Sequence, residues 1–216
     1  MTDLLRYTLL SDGSSDRALS FVLNWLIQDL HPSVGVNPQW ADLRRLHKPP
    51  RDLAERIALS LELYPCELMF VHRDAERVPF ETRRAEIDTA IKLASEKGIL
   101  APALAVIPVR MQEAWLLSSD AAIRQASGNP SSKLPINIPD KSKWELLPNP
   151  KDLLIDLLKR ASGASGRKLR KLDTSSMIHR VAELTRDFSP LRELKAFREL
   201  EHELMQTLPN LVRVAE

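Results

Sequence analysis

The chain has 216 residues, enough for one substantial core with an appendage. Its 31 basic residues nearly cancel its 29 acids, leaving +2, so it is not a uniformly basic nucleic-acid binder; 44% hydrophobic and 28% charged residues suit a soluble globular protein. No apolar run approaches the roughly 18 residues of a membrane span, no basic-then-apolar leader opens the chain, and the single cysteine, Cys66, excludes an internal disulfide or a Cys-rich zinc site; a cytoplasmic protein is expected.

Leu4 to Leu10 reads as a first strand, followed by the acid-and-glycine turn Ser11-Asp12-Gly13-Ser14-Ser15-Asp16 and a long helix from Ser15 to Leu30. Val34 and Val36 alternate with Gly35 and Asn37 in a short second strand, placed at a sheet edge by Pro38. Asp52 to Leu63 is helical until Pro65 stops it. Glu67 to Val71, apolar on both faces, is a central buried strand that ends in His72-Arg73-Asp74-Ala75-Glu76. Thr82 to Lys97 has helical spacing with Gly98 as its C-cap, and Ala103 to Val109 is a fourth strand in which Pro108 marks an edge position or a strand already ending there. Glu113-Ala114-Trp115-Leu116-Leu117 then opens a further helix.

Strands alternating with helices predict an α/β fold, a mostly parallel four-stranded sheet flanked by helices, over residues 1–120. Residues 121–150, proline-rich toward their end and without a period, read as a connecting loop. Residues 151–216 form an α-helical extension packed on the first domain, with helices over Lys151–Arg160, Thr174–Asp187 and Pro190–Leu208, the last capped by Ser189. Between the first two, Lys159 to Lys171 carries six basic residues and no acid, with glycines and serines that predict a mobile loop. Arg44, Arg45, Lys48 and Arg51 make a second basic stretch.

Each acid after a strand has a structural explanation. Asp12 could shape an Asx-turn before Gly13, Asp16 could sit in a first helical turn for its dipole, Asp74 and Glu76 could be solvated turn residues, and Glu113 could be another first-turn acid. His72 reads as a packing residue at a strand end, and Arg73 and Arg110 could simply neutralise the acids. Together, however, three apolar runs that each release a carboxylate on the same side of a parallel sheet would crowd like charges. Such a group is relieved by spacing, by arginines or by a divalent ion.

The order strand, acid-Gly, helix, then a buried strand ending in acid-x-acid resembles the Toprim domain shared by topoisomerases, primases and small nucleases. Asp12-Gly13 with the later Asp16 matches its first motif and Asp74-Ala75-Glu76 its second; the segment around Glu113 is similar to Toprim-like bacterial proteins found near defence genes. The resemblance covers about residues 4–120, and it departs from the family in having Asp for the first Glu and Glu for the last Asp. It implies that Asp12 is a metal-facing residue or general base, that Asp12, Asp74 and Glu76 hold Mg²⁺ or Mn²⁺, and that Glu113 joins them as catalytic residues. Arg73 and Arg110 would contact phosphate, with Arg167, Lys168, Arg170 and Lys171 guiding a polyanion.

The two tyrosines, Tyr7 and Tyr64, are poorly placed for a topoisomerase nucleophile, and one cysteine cannot build a primase zinc module. No G-x-x-x-x-G-K-[ST] is present, so an ATPase would be a separate chain. The expectation is a Mg²⁺-dependent phosphodiesterase acting on DNA or RNA, with a role in antiphage defence. The alternative is an inactive module that binds nucleic acid or a partner protein; a homodimer is compatible with either, and no membrane is involved.

Overall fold

The computed structural model describes residues 4–96, 98 and 101–212. Lys97, the expected last residue of one helix, and residues 213–216 of the extension lie outside them. The protein is α/β. Strands β1 (Leu4–Leu10), β2 (Gly35–Ala41), β3 (Leu68–His72) and β4 (Ala103–Val106) form one all-parallel sheet in the order β2-β1-β3-β4. Chain progression reverses direction between β1 and β3, and in such open sheets the crevice at the carboxyl ends of those two strands is where ligands bind. Asp12 and Asp74 leave the sheet at that crevice.

Alternation assigns the two faces. Leu5, Tyr7 and Leu9 of β1 share one core with Leu68, Phe70, Leu104 and Val106, covered by α1 (Leu19–Leu30) and by helices from the C-terminal half. Leu10, Met69, Val71 and Ala105 point the other way, toward α2 (Leu53–Leu63) and α3 (Phe80–Glu96). All five residues of β3 are buried, as expected of a central strand sandwiched between helices. Tyr7 meets Phe70 edge-on at 5.2 Å and donates its hydroxyl proton to Asn24 Oδ1 at 2.8 Å, so the aromatic body is buried without an unpaired phenol. Pro38 lies within β2, pairing with Tyr7 in register; it is tolerated because β2 has a neighbour on one side only.

Several boundaries differ from the sequence reading. The segment Ser15–Ala18 is a 3₁₀ turn that precedes α1. β4 ends at Val106, three residues early, since Pro108 has no N–H to give; its carbonyl still accepts from Ala75 N–H at 3.0 Å, which carries the pairing past the strand ends. Gln112–Ser118 is a fully packed 3₁₀ segment, and α4 (Asp120–Ala126), not expected, is capped by the Ser119 hydroxyl accepting from Ala122 N–H.

The proline-rich segment is packed: Ile136 and Trp144 are buried, and Trp144 donates to Pro139 O at 2.9 Å. After α5 (Pro150–Ser162) the expected mobile loop contains a short helix, α6 (Gly166–Arg170), followed by α7 (Thr174–Leu184). The final helix begins later than expected. Ser189–Glu193 forms a 3₁₀ turn, Leu194 is extended, and α8 (Lys195–Leu211) starts where Glu145 accepts from Lys195 and Ala196 N–H at 3.3 and 3.1 Å. That cap comes from a distant residue, so local sequence signals could not place it. Trp115 meets Phe197 of α8 edge-on at 5.4 Å, tying the segment after β4 to the last helix. No helix among the described residues is long and apolar enough to cross a membrane.

Candidate metal and phosphate site

The β1 turn is built around Asp16. Its carboxylate folds back to accept from Gly13 N–H at 2.6 Å and from the Ser15 hydroxyl at 3.1 Å, and from across the sheet it accepts the Gln112 side-chain amide at 2.9 Å. A side chain at Gly13 would place its Cβ 3.2 Å from both Asp16 oxygens, so the carboxylate would have to shift by a few tenths of an ångström to admit it. Asp16 lies in the first turn of the 3₁₀ segment, as expected of a first-turn acid, and at 7% exposed it also lines the cleft.

His72, at the end of β3, is 2% exposed. Its Nδ1 lies 2.9 Å from Val106 O, which can only accept, so Nδ1 carries the proton and Nε2 is turned toward the acids. Nε2 stands 3.9 Å from Asp16 Oδ2 and 3.7 Å from Asp74 Oδ1, too far for hydrogen bonds. The histidine packs at the strand end as expected, and it also lines the cleft beside both acids.

Asp74 is the least satisfied acid. Its Oδ1 is buried without a hydrogen-bond partner. Burial drives its pKa up to about 7; His72 acts against the rise, Glu113 and Asp16 add to it, and the Gln112 backbone amide opposes it. Glu113, 1% exposed, sits behind this group with Lys151 Nζ 3.3 Å from its Oε1.

Asp12 differs in every respect. It is held by Arg56 Nη1 and by Arg73 Nε at 3.1 Å, and Arg56 Nη2 also donates to Ser11 O at 2.8 Å. Partial burial would raise its pKa, yet the two guanidiniums outweigh that and hold it below the ordinary carboxylate range. Arg73 and Arg83 both also engage Glu86 of α3.

Asp12, Asp16, His72, Asp74 and Glu76 line one cleft of about 290 Å³ together with Gly13, Arg73 and Arg83. Three of the four acids expected there, Asp12, Asp74 and Glu76, thus share it; Glu113 contributes its charge from beneath. Glu76 is exposed at the mouth in a left-handed conformation (φ 53°), facing Arg110, also left-handed (φ 71°). The two are clasped by Glu76 N–H to Arg110 O at 2.9 Å and Arg110 Nη1 to Glu76 O at 3.1 Å, and this pair lines a neighbouring hollow. Two strained non-glycine residues bonded to each other at a cleft mouth mark a shape held by the surrounding fold. Arg167, Lys168, Arg170 and Lys171 are exposed on and just after α6, away from the residues that line the cleft.

Among the described residues, no three His, Cys, Asp or Glu side chains are arranged to hold a metal ion by themselves. The donors do suit an ion of a particular kind. Mg²⁺ keeps most of its waters and is commonly bound through one or two carboxylates plus substrate phosphate; the unpartnered Asp74 oxygen is open to such an ion, and Asp16, whose oxygens already accept three hydrogen bonds, stands beside it. Asp12, already neutralised by two arginines, is a poorer donor. Asp16 and His72 escaped the list of sequence candidates because each has an ordinary local role; the spacing Asp12-x-x-x-Asp16 was the available signal, and Arg56, Arg83 and Gln112 offered none.

No protein-family model, curated protein or solved structure matches this chain.

Proposed function

We propose that the protein is a divalent-metal-dependent, Toprim-like phosphodiesterase acting on nucleic acid, DNA or RNA. The observation that carries the reading is the buried, unpartnered Asp74 oxygen beside Asp16 and above Glu113 at the sheet's switch point, with a pKa near neutrality. An acid group left unsatisfied at a ligand crevice is stable only with a proton or a cation, and functional sites are where such groups collect.

Asp16 and Asp74 would hold Mg²⁺ or Mn²⁺, which when bound supplies neutralisation of charge on a phosphoryl group. Gly13, Ser15 and Gln112 hold the Asp16 carboxylate in place beside His72 and Asp74. Arg73 and Arg83, which line the cleft, offer guanidinium contacts to phosphate oxygens. Glu76 at the mouth is the remaining open carboxylate and would accept a proton there.

The clasp of Asp12 by Arg56 and Arg73 favours a second reading, an inactive module that binds nucleic acid or a partner, since an acid in two ion pairs is a weak base. Cleavage assays decide between them. Single- and double-stranded DNA and RNA are incubated with wild-type protein and Asp74→Asn in Mg²⁺, Mn²⁺ or EDTA. Metal-dependent cleavage lost in the variant is expected. Wild-type protein that cleaves none of the substrates would overturn the enzyme reading in favour of the second.

A further inference from the structure

The turn that carries Asp16 has a second side. Ser14 and Ser15, between the cleft residues Gly13 and Asp16, line a cavity of about 380 Å³ shared with Lys151, Ser175, Ser176 and His179 of the C-terminal half. His179 also lines an adjoining cavity of about 400 Å³ with Arg17, Phe21 and Trp40. The two hollows share His179 in their walls; taken together they are called the groove, and Ser14 and Ser15 place one end of it next in sequence to the cleft residues Gly13 and Asp16. Lys151 strengthens that link, because the same ammonium that faces this groove neutralises Glu113.

The groove combines stacking surfaces with cations. Trp40 is fixed in place: its Nε1 donates to Ser11 Oγ at 3.0 Å, and the Arg44 guanidinium lies 5.4 Å from its ring centroid. Phe21 and His179, both partly exposed, meet edge-on at 5.3 Å with an interplanar angle of 80° and line the same cavity as Trp40. Arg17 is exposed and has no ion-pair partner among the described residues. Of the first basic stretch, Arg44 lies against the Trp40 ring and is paired with Asp42 at 2.7 Å.

We propose that this groove binds a single strand of nucleic acid, its bases against Trp40, Phe21 and His179 and its phosphates on Arg17 and Lys151. Aromatic faces set within a concave groove can stack only on unpaired bases, and a duplex offers its edges and backbone instead. The proposal deepens the phosphodiesterase reading and rests on it for the strand's destination, the Asp16–Asp74 cleft. Binding itself needs no metal.

The test separates the two. Fluorescence anisotropy in EDTA measures binding of fluorescein-labelled twelve-nucleotide single strands, DNA and RNA, and of a hairpin duplex, to wild-type protein, Arg17→Glu and Arg17→Ala/His179→Ala. In parallel, hydrolysis of bis(4-nitrophenyl) phosphate in Mn²⁺ reports the cleft without the groove. Single strands are expected to bind about tenfold or more tightly than duplex, and both variants to lose about tenfold in single-strand affinity with hydrolysis unchanged. Arg17→Glu changes one exposed residue, so a folding defect in the double variant leaves the measurement intact. Equal affinity for duplex, or variants that bind single strands like wild type, would overturn the groove whatever the hydrolysis. Selective single-strand binding with no hydrolysis by wild type would sustain the groove and remove the enzymatic reading.

Discussion

The rim and the floor of the cleft treat the same chemical group in opposite ways. At the rim, Asp12 is half-exposed and held by Arg56 and Arg73, and its pKa is lowered. At the floor, Asp74 has a buried oxygen with no partner, stands among Asp16, Glu113 and the His72 ring, and has its pKa raised to about 7. The rim is electrostatically complete within the protein, and so explains itself as structure. The floor is incomplete, and an incomplete buried charge cluster persists only where a proton or a cation from outside completes it.

The largest test of this contrast is catalytic. Asp74→Asn should reduce metal-dependent cleavage by about a hundredfold or more, the scale seen when a group acting on the reacting phosphate is lost. Asp12→Asn should cost less than about tenfold and act mainly through Arg73, which would lose one of its two carboxylate partners. Equal losses in the two variants, measured as kcat/KM on one oligonucleotide, would erase the distinction between rim and floor.

Stability against pH is the next largest effect. In metal-free protein, the folded pKa of Asp74 lies near 7 and its ordinary value is 3.8, so between these values the folded state holds a proton that the unfolded chain has released. The contribution is full below about pH 4, declines as pH rises, and is gone above about pH 7. Asp74→Asn, unable to ionise, should be more stable than wild type at pH 8 in EDTA by roughly 1 to a few kcal/mol, with the gap closing toward pH 4. Urea melts at pH 4, 6 and 8 give the three points, and a gap that widens on acidification would reverse the assignment. Asp12, with its lowered pKa, works in the other direction: its contribution is present above its ordinary value and lost as pH falls below it.

A cation should do what the proton does. At pH 8, Mg²⁺ at about a hundred times its dissociation constant should stabilise wild type by about 2.7 kcal/mol, seen as a rise in Tm of several degrees. Asp74→Asn should respond little, and Asp12→Asn nearly as much as wild type. A wild-type Tm that is indifferent to Mg²⁺ and Mn²⁺ would mean that the floor is completed by its proton alone.

The sheet was legible because its signals are local. The run Leu68 to Val71 is apolar on both faces and reads as a buried strand, and Pro38 and Pro108 correctly indicate the two edges. Asp12, Asp74 and Glu76 could be brought to one cleft for the same reason, since each follows a strand directly and parallel strands deliver their carboxyl ends to one side. Asp16 and His72 were harder. Their local explanations, a helix dipole and strand-end packing, are sufficient in isolation, and only the approach of Gln112 from 96 residues away shows that Asp16 is turned inward. The helical half was least legible where distant groups set the ends: Glu145 starts α8, and without it the run from Ser189 onward reads as one helix. Lys159 to Lys171 looked mobile from its glycines and serines, yet its second half closes into the short helix α6.

The smallest expected effect sharpens the contrast at Glu76, which is at the rim by exposure and in the acid-x-acid motif with Asp74 by sequence. Its left-handed backbone costs about 1 kcal/mol for a non-glycine residue, while glycine would lose a similar amount through the freer unfolded chain. Glu76→Gly should therefore change stability by less than about 1 kcal/mol, and Glu76→Gln, which keeps the backbone cost, by still less. The N–H and carbonyl bonds to Arg110 survive in both variants because they use the backbone of residue 76 alone. Any loss of Mg²⁺-induced stabilisation in Glu76→Gln consequently reports the carboxylate itself. A loss as large as in Asp74→Asn would move Glu76 to the floor as a metal donor; a loss below about half of it, the expected result, leaves Glu76 as a rim acid that meets the substrate or its water after the ion is bound.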